Sequence, residues 1–294
     1  MPNRGSFKII IGSILFGLIP LFVRYGSHLS IASIALGRAI FASIFARIYL
    51  YFSKEKVSFK TDLIITKTFF HFLNWTFFLT IAIVFYFLSI QSGSIALAGV
   101  LMGAHPIFVV LFVYLFFKER IRKKTLISCL LSIIGIILIS GFNSDKSGAS
   151  FLSSMYALGS AFFLGLNFTY YLKYLKGFSA GKLVFYQNVL QIPLLIPFAV
   201  INLGTFSPSG IISIICLGVL CTGIAYFLVY SGSQSVKKQY IGVLQIIENV
   251  IPILFGVLLF KEVLTFQMIL GMVILFVSIL ILSFERKNSI NNLI

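Results

Sequence analysis

Gln91–Glu119, QSGSIALAGVLMGAHPIFVVLFVYLFFKE, recurs without a gap as Gln234–Glu262, QSVKKQYIGVLQIIENVIPILFGVLLFKE. In a chain so rich in Ile, Leu and Phe some apolar matches come free. The weight therefore falls on the polar and glycine pairs, Gln91/Gln234, Ser92/Ser235, Gly99/Gly242 and Lys118-Glu119/Lys261-Glu262, all at one offset of 143 positions. The chain reads as a duplicated object, with halves at 1–145 and 146–294 joined by the polar stretch Asn143-Ser144-Asp145-Lys146-Ser147-Gly148.

Composition says what was duplicated. Of the 294 residues, 59% are hydrophobic and 10% charged, far from the balance of a soluble domain. An apolar helix needs about 20 residues to cross the hydrocarbon core, and backbone facing lipid must be hydrogen-bonded within its own segment. Ten apolar runs meet or approach that length. They are 7–23, 31–52, 69–90, 94–117 and 125–141 in the first half, and 151–172, 183–203, 211–231, 241–260 and 266–284 in the second. The runs are continuous, with no alternation of polarity, which excludes a β-barrel, and no small-residue cleavage site follows the first, which argues against a removed signal peptide. The expected fold is an all-α integral membrane protein with ten transmembrane helices.

Basic residues set the expected orientation. Of the 23, 18 fall on the side that holds both termini, from Arg4 and Lys8 to Arg286 and Lys287, against Arg24, Lys146 and Lys261 on the other. Lys and Arg collect in cytoplasmic loops, so both termini are expected in the cytoplasm of a protein of the cell membrane. The net charge of +16 is then a topology signal, which removes the reading as a nucleic-acid binder and leaves generic contact with anionic lipid headgroups. Five crossings per repeat is an odd number, so the second copy enters from the opposite side. Two inverted five-helix repeats are a recurrent architecture of secondary transporters, which expose a site between the halves to each side in turn.

The segment from His105-Pro106 to Glu119, its counterpart from Glu248-Asn249 to Glu262, Arg38 in the second run, and Gly135 and Gly271 in the fifth and tenth resemble the drug/metabolite transporter superfamily, with two EamA-type domains. The resemblance covers nearly the whole chain. Where family members often carry Trp-Gly in the first helix, this chain has Phe16-Gly17, and where a proline directly follows the ninth-helix acid, it has Asn249 and delays the proline to Pro252. The resemblance implies secondary exporters or importers of amino acids, amines, nucleotide sugars, purines and other small metabolites, driven by protons or by exchange.

Candidate site residues are polar groups placed where lipid cannot solvate them. Glu248, the only acid inside a run, is the candidate for proton coupling, because ionisable groups in a membrane span mark ion and proton paths. Arg38 offers a planar donor fork suited to a carboxylate or phosphate, or else snorkels to the interface. His105 precedes Pro106 at mid-depth, where a broken helix exposes carbonyls beside an imidazole. Asn74, Asn167, Gln187, Asn188, Gln191, Gln245 and Asn249 line a polar cavity collectively, although interhelical hydrogen bonds explain any one of them. Trp75 is a candidate aromatic wall. Pro20, Pro106 and Pro252 are candidate helix breaks. Gly99 and Gly103 form a Gly-x-x-x-Gly packing element, and Glu119 and Glu262 stand where they can accept from the first amides of the next helix.

Enzyme signatures are absent from the sequence. His28, His71 and His105 are scattered, no phosphate-cradling glycine loop occurs, and Cys129, Cys216 and Cys221 sit in apolar runs as small hydrophobes. No metal or cofactor is expected. The expected function is alternating-access transport of a small metabolite by a monomer or homodimer, the alternatives being uptake of a nucleotide-like solute such as a nucleotide sugar or S-adenosylmethionine, or uncoupled facilitation.

Overall fold

The computed structural model describes residues 4–55, 57, 66–118, 123–140, 148–175, 177–236, 244–245 and 247–285. Among them all regular structure is helical: α1 (Arg4–Gly17), α2 (Ile19–Tyr25), α3 (Ile31–Phe52), α4 (Thr66–Ser92), α5 (Ile95–Met102), α6 (His105–Phe117) and α7 (Lys123–Ser140). There follow α8 (Gly148–Tyr174), α9 (Ala180–Ile201), α10 (Pro208–Gly218), a π-helical segment (Val219–Ile224), α11 (Ala225–Ser233), α12 (Ile247–Leu258) and α13 (Phe266–Glu285). Among the described residues, seven helical stretches are long and apolar enough to cross a membrane: Arg4–Tyr25, Ile31–Phe52, Lys67–Ser92, Ile95–Phe117, Phe151–Tyr174, Ala180–Ile201 and Pro208–Ser233. Shorter apolar helices, Thr125–Ile139, Ile247–Leu258 and Phe266–Ser278, occupy the remaining runs. The chain is a multi-pass, all-helical membrane protein. Glu119, Gly242 and most of the expected linker between halves lie outside the described residues.

Local chemistry explains where helices start and stop. Ser30, Ser94, Ser179 and Ser207 are N-caps, each accepting from an amide three residues on (Ser33, Leu97, Lys182 and Gly210), which satisfies a donor with no partner inside the helix. Pro20 and Pro106 stand in the first turns of α2 and α6, just after breaks that divide the first and fourth runs. Proline is tolerated there because the missing amide would be unpaired anyway. Pro252 lies inside α12, as Pro193 and Pro197 do inside α9, without dividing either helix. Three lysines, Lys54, Lys118 and Lys261, take left-handed backbone angles (φ 56°, 55° and 52°) after α3, α6 and α12, a position where glycine is the usual residue.

Packing is pairwise and close. α4 packs along α8, α3 along α9, α7 along α13, α1 along α11, and α5 along α12. The α7–α13 contact needs two glycines: a Cβ on Gly135 would lie 2.9 Å from the Gly271 carbonyl, and one on Gly271 would lie 2.8 Å from that of Gly135. Ser128 and Ser278 donate to each other's carbonyls at 2.6 Å in the same seam. Gly99 and Gly103 face Pro252 and Asn249 across the α5–α12 contact, with no room for a methyl at either position.

One end of the bundle is tied by charge. The Glu262 carboxylate accepts from Ser94 Oγ at 2.7 Å, from the Ile95 amide at 2.7 Å and from the Ala96 amide at 3.0 Å, so it sits on the start of α5. Arg24 donates to the Gly93 carbonyl at 2.8 Å and lies 4.0 Å from Glu262. The sequence reading placed this acid on the next helix, but the cap of α13 is Thr265, whose Oγ1 accepts from Met268. The left-handed turn at Lys261 redirects the chain after α12 and allows Glu262 to reach α5.

Candidate functional site

Arg38 is buried two turns into α3, and its charge must be met by the protein. Its Nη1 donates to Thr222 Oγ1 at 3.1 Å and its Nη2 donates to Gln191 Oε1, while Nε, like the other atoms called unpartnered below, has no partner among the described residues. Thr222 belongs to the π-helical segment, and its hydroxyl donates to the Leu217 carbonyl five residues back at 2.7 Å. That widened turn holds Thr222 toward α3; π-bulges of this kind recur at functional sites. The arginine therefore neither snorkels nor pairs with Glu248.

Alongside Arg38, α9 presents three amides on its buried face. Gln191 lies four residues after Gln187 and three after Asn188, one helical turn on, and all three are buried. Asn188 Nδ2 bonds back to the Val184 carbonyl at 2.8 Å, and Gln187 Oε1 accepts from the Tyr230 hydroxyl at 3.4 Å. Gln187 Nε2, Gln191 Nε2 and Asn188 Oδ1 are left without partners.

An aromatic wall continues the site. Trp75 is fully buried, 6.0 Å from Tyr171 and 6.4 Å from Tyr230 between ring centres, with Nε1 unpartnered. Asn167 Nδ2 donates to the Trp75 carbonyl at 2.7 Å, which fixes α8 against α4. Tyr226 and Tyr230, one helical turn apart on α11, stand 5.6 Å apart.

Glu248 and Asn249 open α12, both buried, and Asn249 Oδ1 has no partner. Tyr226 lies within electrostatic range of both Arg38 and Glu248, and Tyr86 within range of Glu248. Chemically, the enclosure offers unpaired donors around Arg38, Gln187, Gln191 and Trp75, and acceptors at Glu248, Asn188 and Asn249.

Not every expected residue is brought here. Asn74 is exposed on the outside of α4, where its amide donates to the Tyr170 hydroxyl at 3.4 Å. His105 is half-buried at the start of α6, against Gly165 of α8. Gln245 is half-buried just ahead of α12. Conversely, Thr222, Tyr86, Tyr171, Tyr226 and Tyr230 were not singled out from the sequence. With 33 Phe and 13 Tyr in the chain, no periodicity distinguishes a site tyrosine from a packing one.

Comparison with known proteins agrees in kind. The model of the EamA-like transporter family matches residues 3–141 and again 152–284. The chain is similar to the uncharacterized transporter YxxF of Bacillus subtilis (strain 168), at 24% identity over 98% of this chain and 92% of that protein. It is 25% identical to an uncharacterized transporter of Archaeoglobus fulgidus, over 94% of this chain and 95% of the other. A protein of known crystal structure superposes with a TM-score of 0.70 over 96% of this chain and 98% of its own, at 12% identity, a likeness of fold.

Proposed function

Because the chain belongs to the EamA-like transporter family, we propose that it is a secondary active transporter of a small metabolite: an amino acid, an amine or a related organic solute. Transport proceeds across the cytoplasmic membrane by alternating access. In this reading ten spans form two inverted repeats, 1–145 and 146–294, with both termini in the cytoplasm. The packing pairs are consistent with that symmetry: adding five spans to the first–eighth pair (α1 with α11) yields the sixth–third pair (α8 with α4), and the remaining pairs map onto themselves.

The observation that carries the reading is the buried polar enclosure of Arg38, Gln187, Gln191, Glu248 and Asn249, with donors and acceptors unpaired inside an apolar bundle. Structural cores pair the large majority of such groups. Arg38 and its amides hold the anionic group of the solute, Trp75 and the tyrosines flank its body, and Glu248 carries the coupling proton. Pro20 and Pro106, at the breaks in the first and fourth runs, allow those spans to rock.

The test is transport in proteoliposomes. First, hits from thermal-shift screening of a metabolite library are confirmed by counterflow. Then Glu248→Gln is compared with the parent protein under an imposed pH gradient. Loss of pH-driven uptake with retained exchange is expected, and unchanged uptake would sink the coupling role.

A further inference from the structure

Polar residues that the enclosure leaves unused gather on the outside of the bundle. On α4, Lys67, His71 and Asn74 fall at i, i+4 and i+7, one face of the helix, near its first turns. On the last turns of α8 stand Tyr170, Lys173 and Tyr174, and beside them ends α6 with Phe116 and Phe117. His71 and Asn74 lie about 7.5 and 12 Å along the helix from its start. A polar amide facing hydrocarbon there is costly unless something polar reaches it.

Asn74 Nδ2 donates to Tyr170 Oη at 3.4 Å, and His71 Nδ1 lies 2.8 Å from the same oxygen. With Nδ1 engaged by Tyr170, Nε2 is the ring nitrogen that can meet a further group, and Tyr170 donating to Nδ1 places the imidazole proton on Nε2. The imidazole stacks on Tyr174 at 4.1 Å between ring centres, and Lys173 Nζ lies 5.4 Å from the centre of that same ring. Lys173 spends one donor on the Phe116 carbonyl at 3.1 Å, an orphan of the last turn of α6, and its remaining donors are available.

The result is a ring-walled notch with a cation and an imidazole donor, on a face where Phe70, Phe77 and Phe117 are exposed. Lys67 and Lys118, at the neighbouring helix ends, add positive charge. We propose that the notch binds the phosphate of an anionic phospholipid, with Lys173 Nζ and His71 Nε2 as donors. The exposed phenylalanines commit the site to a lipid over a free phosphate, because they give acyl chains a surface to lie on. The inference stands apart from the transport reading.

The test uses the full-length protein in nanodiscs of phosphatidylcholine with and without phosphatidylglycerol, with retained lipid read by native mass spectrometry after extraction. Preferential retention of phosphatidylglycerol is expected, falling about fivefold in Lys173→Met, by the usual contribution of one cation at a membrane surface, and about fivefold in His71→Phe, by the loss of one hydrogen bond. Lys54→Met, at an exposed lysine after α3, is expected to retain it in full. His71→Phe preserves a ring on Tyr174 and leaves the α6 carbonyl capped, so it decides the matter if Lys173→Met fails to fold. Retention unchanged in His71→Phe, or displacement of the lipid by millimolar inorganic phosphate, would overturn the proposal. So would a shift from dimer to monomer in either variant with lipid retention intact, which would mark the notch as a contact between two copies of the chain.

Discussion

Removing the Glu262 carboxylate tests whether the bundle is held shut at one end by a helix cap. Glu262→Ala takes away the acceptor for Ser94 Oγ, the Ile95 amide and the Ala96 amide, and leaves Arg24 without its carboxylate. Hydrogen bonds to a charged group contribute about 1.5–3 kcal/mol each, but water can reach the start of α5 once the side chain is gone, so their full sum is an overestimate. Loss of a helix N-terminal cap costs about 0.5–2 kcal/mol, and the partly exposed Arg24 pair at 4.0 Å adds little. An overall cost of roughly 2–3 kcal/mol corresponds to a fall in Tm of about 4–9 °C for a chain of this size. Glu262→Gln keeps an acceptor oxygen and is expected to lose about a third of that, roughly 1–3 °C. The assay is thermal unfolding of the detergent-purified protein, followed by Trp75 fluorescence. A double-mutant cycle with Ser94→Ala isolates the coupling, because the Ser94 hydroxyl both donates to Glu262 and caps α5. A Tm within about 1 °C of the parent for Glu262→Ala, or strict additivity with Ser94→Ala, would refute the reasoning.

Other expectations follow from contacts described above. Gly135→Ala places a methyl 2.9 Å from the Gly271 carbonyl and is expected to cost about 1–3 kcal/mol in thermal unfolding, whereas Gly177→Ala, with nothing within 4 Å, is neutral. Arg38→Lys replaces a fork that reaches Thr222 and Gln191 together with a single ammonium, and is expected to weaken substrate counterflow about tenfold or more. Lys118→Cys and Lys261→Cys, each in a background with Cys129, Cys216 and Cys221 replaced by alanine, are expected to react with an impermeant maleimide from opposite sides of the membrane. Labelling from the same side would remove the inverted-repeat reading.

The helical layout was legible in the sequence because it depends on long-range averages. Runs of Ile, Leu and Phe show where helices lie, and Ser94 and Pro106 mark a start and a break by rules that are local. The site was legible only in part. Burial of Arg38 and Glu248 follows from their surroundings in sequence, but the choice of Gln191 and Thr222 as partners for Arg38 depends on contacts 153 and 184 residues away. The same limit applies to Glu262, whose partners lie 166 to 168 residues back in the chain. Asn74 looked like its fellow amides because polarity alone does not say which way a helix faces, and apolar residues surround it along α4. Lys261 gave no sign of a left-handed turn, since the usual marker there is glycine.

The widened turn at Val219–Ile224 has a consequence for how such proteins diverge. Each residue advances a helix by about 100°, so deleting one position in that stretch would restore ordinary winding and rotate everything after it by roughly that angle. Tyr226 and Tyr230 would then swing off the enclosure, and new side chains would take their place without any substitution. A relative one residue shorter here is expected to keep this architecture while facing different side chains toward Arg38. The length of this stretch is therefore as informative as its letters when specificities are compared.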